Sequence, residues 1–212
     1  PSELVPLSTV RMAELLKEAG LPDGVFNIVN GGKEVVEAIC DHPNIEAVSF
    51  VGSTKVAKIV YKRATSNLKR CVALGGAKNH LLVFPDANPE MTASNVVASM
   101  SGCAGQRCMA ASVMVGVDKV QHIIDRMVHE AKTIVPGDNL GSVITAEAKD
   151  RIERYIAEAE ENGAKILLDG RNATVAGKEG GYYVGPTIID YVTTDMSVAR
   201  EEIFGPVISI IR

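Results

Sequence analysis

Three stretches of the 212-residue chain place reactive or ligand-holding side chains where a backbone could present them. The first is Gly102-Cys103-Ala104-Gly105-Gln106-Arg107-Cys108-Met109-Ala110. A cysteine acts as a nucleophile when its thiolate is reachable and electrostatically favoured. Gly105 loosens the chain there, and Arg107 sets a cation beside Cys108. That cation favours the thiolate, or it grips a substrate carboxylate through two parallel hydrogen bonds. The plainer reading makes Cys108 a small buried residue and Arg107 a surface partner. Cys40, Cys71 and Cys103 stand in apolar or helical surroundings and read as packing residues.

The second stretch, Phe50-Val51-Gly52-Ser53-Thr54, lies where a strand hands over to a helix. Unpaired N–H groups and the positive end of the helix dipole make such a junction a place for a phosphate or pyrophosphate. Ser53 adds a hydroxyl to that site, or it merely caps the helix. There is no Gly-x-Gly-x-x-Gly run, so the usual dinucleotide fingerprint is missing. The third stretch, Arg200-Glu201-Glu202-Ile203-Phe204-Gly205-Pro206-Val207, is a charged turn entering an apolar strand. A carboxylate there suits ribose hydroxyls and the ring suits a flat heterocycle. A solvated helix end followed by a core Phe suits the same residues. His80 reads as a structural residue opening a strand.

Alternating periodicities supply the elements that hold these stretches. Helical spacing covers Ser8 to Ala19, Lys33 to Cys40 and Gly52-Ser53-Thr54 to about Thr65, with strands at 25–29, 47–51 and 70–74 between and after them. Beyond Gly75-Gly76, strands are expected at 80–84, 111–117, 164–168, 184–191 and 207–211. Helices are expected behind an Asn88 cap, over 120–134 and over 145–162, and 172–181 is a polar, glycine-rich excursion. Strands alternating with helices of this length predict an α/β fold of parallel strands covered on both faces. The best boundary falls at Gly75–Lys78, giving regions 1–77 and 78–212.

Composition removes several classes. With 46% hydrophobic residues and a net charge of −4, the chain is expected to fold. Its mild acidity argues against a nucleic-acid partner, and no apolar run approaches the ~18 residues of a membrane span. Four cysteines and four histidines show no zinc spacing and no Cys-x-x-Cys pair, so no metal is expected. Free thiols suit a reducing compartment, the bacterial cytoplasm or, in a eukaryote, the mitochondrial matrix. The chain opens on Pro1-Ser2-Glu3 without a methionine, and a piece of something longer is expected.

Taken in order, the segments resemble the aldehyde dehydrogenase superfamily over essentially the whole chain. The resemblance rests on Pro1-Ser2-Glu3, Gly20-Leu21-Pro22-Asp23-Gly24-Val25-Phe26-Asn27, Phe50-Val51-Gly52-Ser53-Thr54, Leu74-Gly75-Gly76, Gly105-Gln106-Arg107-Cys108 and Glu201-Glu202-Ile203-Phe204-Gly205-Pro206-Val207. Gly75-Gly76-Ala77-Lys78-Asn79-His80 and Gly105-Gln106-Arg107-Cys108-Met109-Ala110 are similar to the methylmalonate-semialdehyde dehydrogenase branch, which forms acyl-CoA. The resemblance implies the second half of a Rossmann-like NAD-binding domain over 1–77 and an α/β catalytic domain, incomplete at its C-terminus, over 78–212. It implies Cys108 as the nucleophile, with its N–H as half of an oxyanion hole, and Arg107 on a substrate carboxylate. Glu3 is implied at the adenosine ribose, Ser53 at the pyrophosphate, Gly75 near the nicotinamide, Glu202 at the nicotinamide ribose and Phe204 beside the cofactor. NAD is the implied cofactor, coenzyme A the co-substrate, and a homo-oligomer the implied assembly of the full-length parent.

Two departures bear on the chemistry. Hydrolytic members of the superfamily carry Glu where this chain has Ala73, and alanine accepts no proton. A CoA thiol, with a pKa of ~8–9 like that of cysteine, ionises in part unaided. Thioester transfer is therefore expected, with the substrate carboxylate leaving as carbon dioxide. Ala57 replaces the glycine that closes Gly-Ser-Thr-x-x-Gly in many members, a change that costs little inside a helix. The alternatives are a hydrolytic, NAD-dependent aldehyde dehydrogenase and a non-catalytic nucleotide-binding α/β fragment. If these residues are the whole polypeptide, catalysis is expected to be severely impaired.

Overall fold

A computed structural model describes residues 1–212 as two compact units, Pro1–Gly76 and Ala77–Arg212. The first contains helices α1 (Leu7–Glu18), α2 (Lys33–Asp41) and α3 (Thr54–Ser66) and strands β1 (Ala47–Val51) and β2 (Arg70–Leu74). β1 and β2 pair in parallel, with Ala47 opposite Arg70. One face of this ribbon is closed by a small core in which Val48, Phe50 and Cys71 meet Cys40, Val60 and Ala64. The Lys69 ammonium is folded inward onto the carbonyls of His42 and Ile45, tying the start of β2 to the turn after α2.

Two expectations fail in this unit. The strand at 25–29 does not form: Val25 N–H donates to Pro22 and Asn27 Nδ2 to Gly24, so the segment closes on itself in turns. A strand needs a neighbour to take its N–H and C=O groups, and here β1 and β2 pair only with each other. The sheet is also not covered on both faces, since Val51, Val72 and Leu74 remain exposed. α1 likewise buries no residue.

The second unit is a five-stranded sheet flanked on both faces. Its strands are β3 (His80–Val83), β4 (Val113–Gly116), β5 (Lys165–Leu168), β6 (Thr187–Asp190) and β7 (Val207–Ile211). They lie in the order β3-β4-β7-β6-β5. The first three pairings are parallel, and β5 runs antiparallel at the edge, against the all-parallel expectation. The helices are α4 (Pro89–Ser101), α5 (Gln121–Ala131), α6 (Ala146–Glu161) and the short α7 (Ser197–Arg200). Successive residues of a strand point to opposite faces. Accordingly Ile188, Ile208 and Ile210 pack with Val97 of α4 and Ile124 of α5, whereas Ile189 and Val207 pack with Ile152 and Ile156 of α6. Local chemistry sets the helix starts: Asn88 Oδ1 accepts the Met91 N–H at 2.9 Å, and Thr145 Oγ1 accepts that of Ala148 at 3.1 Å. No helix is long and apolar enough to cross a membrane.

Candidate active site

The Cys108 segment lies in the second unit, between the end of α4 and the start of β4. After α4 the backbone turns left-handed for three residues, Cys103 (φ 51°), Ala104 (φ 53°) and Gly105 (φ 71°). L-residues pay roughly 1–2 kcal/mol each for that conformation, so the surroundings must hold it in place. Gly105 supplies part of the hold: a Cβ there would stand 1.9 Å from the Gly205 carbonyl oxygen, so the two backbones touch without a side chain between them. Cys103 is exposed in this turn, which corrects its reading as a packing residue. Cys40 is buried and Cys71 half-buried.

Gln106 then links the segment to a second loop. Its Oε1 accepts the Ile144 N–H at 2.9 Å, and its Nε2 donates to the Cys103 carbonyl at 3.0 Å. Next comes a tight turn in which Ala110 N–H donates to the Arg107 carbonyl at 3.0 Å, leaving Cys108 and Met109 at its crest. Both crest residues are exposed, Met109 to 90%. The Cys108 N–H donates to no group of the chain, so it is free to face a developing oxyanion beside the sulfur. Asn79, directly before β3, sends both amide protons into the turn, to the carbonyls of Cys108 at 2.7 Å and Ala110 at 2.9 Å.

Arg107 is exposed, and its guanidinium lies on Gly102. It donates to the carbonyls of Ala98 and Ser99 at 3.4 Å each, both on the last turn of α4. These long contacts use Nη2 alone and leave the other guanidinium donors without a protein acceptor.

Cys108, Arg107 and Asn79 share a cleft with Ala77, Glu202 and Phe204. Glu202 and Phe204 are half-buried, and Phe204 holds a positive φ of 55° just before β7. The Lys78 ammonium nitrogen is buried and makes no hydrogen bond. Burial lowers its pKa to about 8, against the opposing pull of the Glu202 and Glu201 carboxylates. Sequence reasoning missed Asn79, Gln106 and Lys78 as site residues, because their roles depend on groups far along the chain.

The first unit holds the remaining predicted residues. Ser53 Oγ caps α3 by accepting the Val56 N–H at 3.5 Å, a long bond. No chain group accepts from the N–H of Thr54 or Lys55, which leaves donors at the helix start for an anion. Thr54 Oγ1 accepts the Gly76 N–H at 3.0 Å, and a Cβ on Gly75 would come within 2.9 Å of that same oxygen. Glu3 is exposed, and its carboxylate lies over Gly32, where an added Cβ would be 3.6 Å from Oε1. Ala73 is half-buried on β2, opposite Phe50. These groups fit a dinucleotide in kind: a capped helix start for pyrophosphate and an exposed carboxylate for a ribose.

A sequence model described as the aldehyde dehydrogenase family matches residues 1–212. Malonate-semialdehyde dehydrogenase 2 of Bacillus thuringiensis (strain Al Hakam) is 48% identical over 219 residues, covering 100% of this chain and 45% of that protein. The chain thus spans about half the length of the curated relatives it matches. Among solved structures, methylmalonate-semialdehyde dehydrogenase from Oceanimonas doudoroffii superposes with a TM-score of 0.92 at 44% identity, over 98% of this chain and 44% of that one. A Sinorhizobium meliloti 1021 protein provisionally given the same name, crystallised with NAD, has the same TM-score of 0.92, identity of 44% and coverage of 98% and 44%.

Proposed function

The chain belongs to the aldehyde dehydrogenase family, and on that premise we propose that it carries the thiol centre of an NAD-dependent, CoA-acylating oxidation of malonate or methylmalonate semialdehyde. The observation that carries this reading is the exposed Cys108 at the crest of a braced turn, with its own N–H free and Glu202 and Phe204 in the same cleft. The Cys108 thiolate adds to the aldehyde carbon, and the resulting oxyanion takes the Cys108 N–H. Arg107 holds the substrate carboxylate with guanidinium donors that the α4 carbonyls do not use.

Bound NAD supplies the hydride acceptor. Glu202 would hold its nicotinamide ribose and Phe204 would brace the ring, while Ser53 with the α3 start, Glu3 and Gly75 would serve the pyrophosphate, the adenosine ribose and the nicotinamide surroundings. Loss of hydride leaves an acyl thioester on Cys108. The substrate carboxylate leaves as carbon dioxide, its electron pair passing into the enolate of the neighbouring thioester, which takes a proton from solvent at carbon; the CoA thiolate then attacks the acyl carbonyl and the Cys108 thiolate departs. Ala73 offers no proton acceptor to activate water, which favours the thiol over hydrolysis. The relatives' names, malonate-semialdehyde and methylmalonate-semialdehyde dehydrogenase, support the substrate class.

The test is to supply malonate semialdehyde, NAD and CoA to the polypeptide that carries these residues, in its native length. NADH and acetyl-CoA are expected in equal amounts. Free acid formed at the same rate without CoA would overturn the acylating reading in favour of the hydrolytic one. If an alkylating reagent labels Cys108 no faster than Cys40 or Cys71, the chain is instead a non-catalytic nucleotide-binding module.

A further inference from the structure

We propose that Asn79 is the positioning residue of the nucleophile turn, a role that deepens the reading of Cys108 given above. A carboxamide nitrogen has two protons to donate, and Asn79 gives both to one turn: 2.7 Å to the Cys108 carbonyl and 2.9 Å to that of Ala110. The bonds reach across 29 and 31 residues of sequence, so they are tertiary contacts of the folded unit. Asn79 is itself fixed from behind. Its N–H donates to Ser112 Oγ at 3.0 Å, and its carbonyl accepts the Val113 N–H at 3.0 Å, where β3 and β4 begin to pair.

The clamp therefore joins a rigid parallel ladder to an exposed crest. The Arg107–Ala110 turn has one internal bond of its own, Ala110 N–H to the Arg107 carbonyl. A single such bond at an exposed site is worth about 1 kcal/mol and does not hold a turn in one geometry. Asn79 adds two bonds that fix the Cys108 carbonyl and, through Ala110, the exit of the turn. The sulfur and the N–H of Cys108 then keep the same spacing before and during attack, which is what pre-organisation requires. Asp at this position would present carboxylate oxygens to two carbonyl oxygens and would push the turn away.

The experiment uses the polypeptide that carries these residues, in its native length, with two readouts: the single-turnover NADH burst with malonate semialdehyde and NAD, and peptide-resolved iodoacetamide labelling as a function of pH. Trypsin cuts after Arg107 and so separates Cys108 from Cys103. Asn79→Ala is expected to lower the NADH burst rate about tenfold, the scale of one or two lost hydrogen bonds, because that step uses the Cys108 N–H, while alkylation of Cys71, Cys103 and the exposed Cys108, which forms no oxyanion, keeps its rate. Asn79→Asp is expected to lower the burst at least as far and to move the Cys108 labelling profile to higher pH. Far-UV circular dichroism and the urea midpoint show whether each variant folds. An unaltered burst rate in both the Ala and Asp variants would overturn the proposal. The variant-to-parent ratio of the burst tests Asn79; the labelling ratio of Cys108 to Cys71 in the parent tests the nucleophile reading separately.

Discussion

Replacing Lys78 with methionine should make the second unit more stable near neutral pH. The Lys78 ammonium nitrogen is buried without a hydrogen-bond partner, and its pKa falls to about 8 from the ordinary 10.5. At ~1.4 kcal/mol per pH unit, that gap corresponds to about 3 kcal/mol by which folding disfavours the charged amine. Because the side chain keeps some solvent contact, a gain of about 1–3 kcal/mol is the reasonable range. The sign follows from proton counting. Below pH 8 both folded and unfolded chains hold the proton, and the folded state bears the full penalty. Between about 8 and 10.5 the unfolded chain holds more protons, so parent stability rises with pH and the penalty fades. Lys78→Met removes both the penalty and the slope, since methionine fills a similar volume without charge. Glu202→Gln should act in the opposite direction, because Glu202 is the larger of the two charges that favour the ammonium. The assay is urea unfolding at pH 7 to 10.5, followed by hydrogen exchange in the peptides of β6 and β7. A Lys78→Met chain with parental stability at pH 7 and a parental slope above pH 8 would refute the reasoning.

Two further substitutions probe the frame around the cleft. Gly105→Ala forces a methyl group against the Gly205 backbone at a positive φ, and should lower stability by more than about 2 kcal/mol while erasing any preference of alkylating reagents for Cys108; urea midpoints and peptide mapping check both effects. Asp190→Asn breaks the ion pair with Arg212, in which the carboxylate is 2% exposed and the closest approach is 2.6 Å. It should cost about 3 kcal/mol in a denaturation midpoint, with the guanidinium losing its anchor over Tyr191.

The elements that could be read from sequence are those whose residues satisfy one another locally. Asn88 and Thr145 announce their helices because a cap reaches only three residues ahead. The alternation in β6 and β7 is hidden in sequence, since both faces of these strands are buried and the polar Thr187, Asp190 and Ser209 are enclosed along with the isoleucines. The failed strand at 25–29 has suitable residues but no partner to take its hydrogen bonds. Likewise, nothing in Lys165–Leu168 reveals that β5 runs antiparallel, because direction is set by how the 172–181 excursion returns the chain to the sheet. At the cleft, Cys108, Arg107, Glu202 and Phe204 were legible as residue types suited to the chemistry. The supports were not: Asn79 to Cys108 and Gln106 to Ile144 are contacts between distant segments. The left-handed run at Cys103 and Ala104 is also silent in sequence, as only its last residue is glycine.

The bare contact between Gly105 and Gly205 has a mechanical consequence. Side chains dissipate small displacements by changing rotamer, but two backbones in direct touch have no such slack. A shift of the Gly205 backbone toward Gly105 therefore meets the thiol-bearing loop directly. A ligand that drew this segment inward at Glu202 or Phe204 would press on the loop that carries the sulfur.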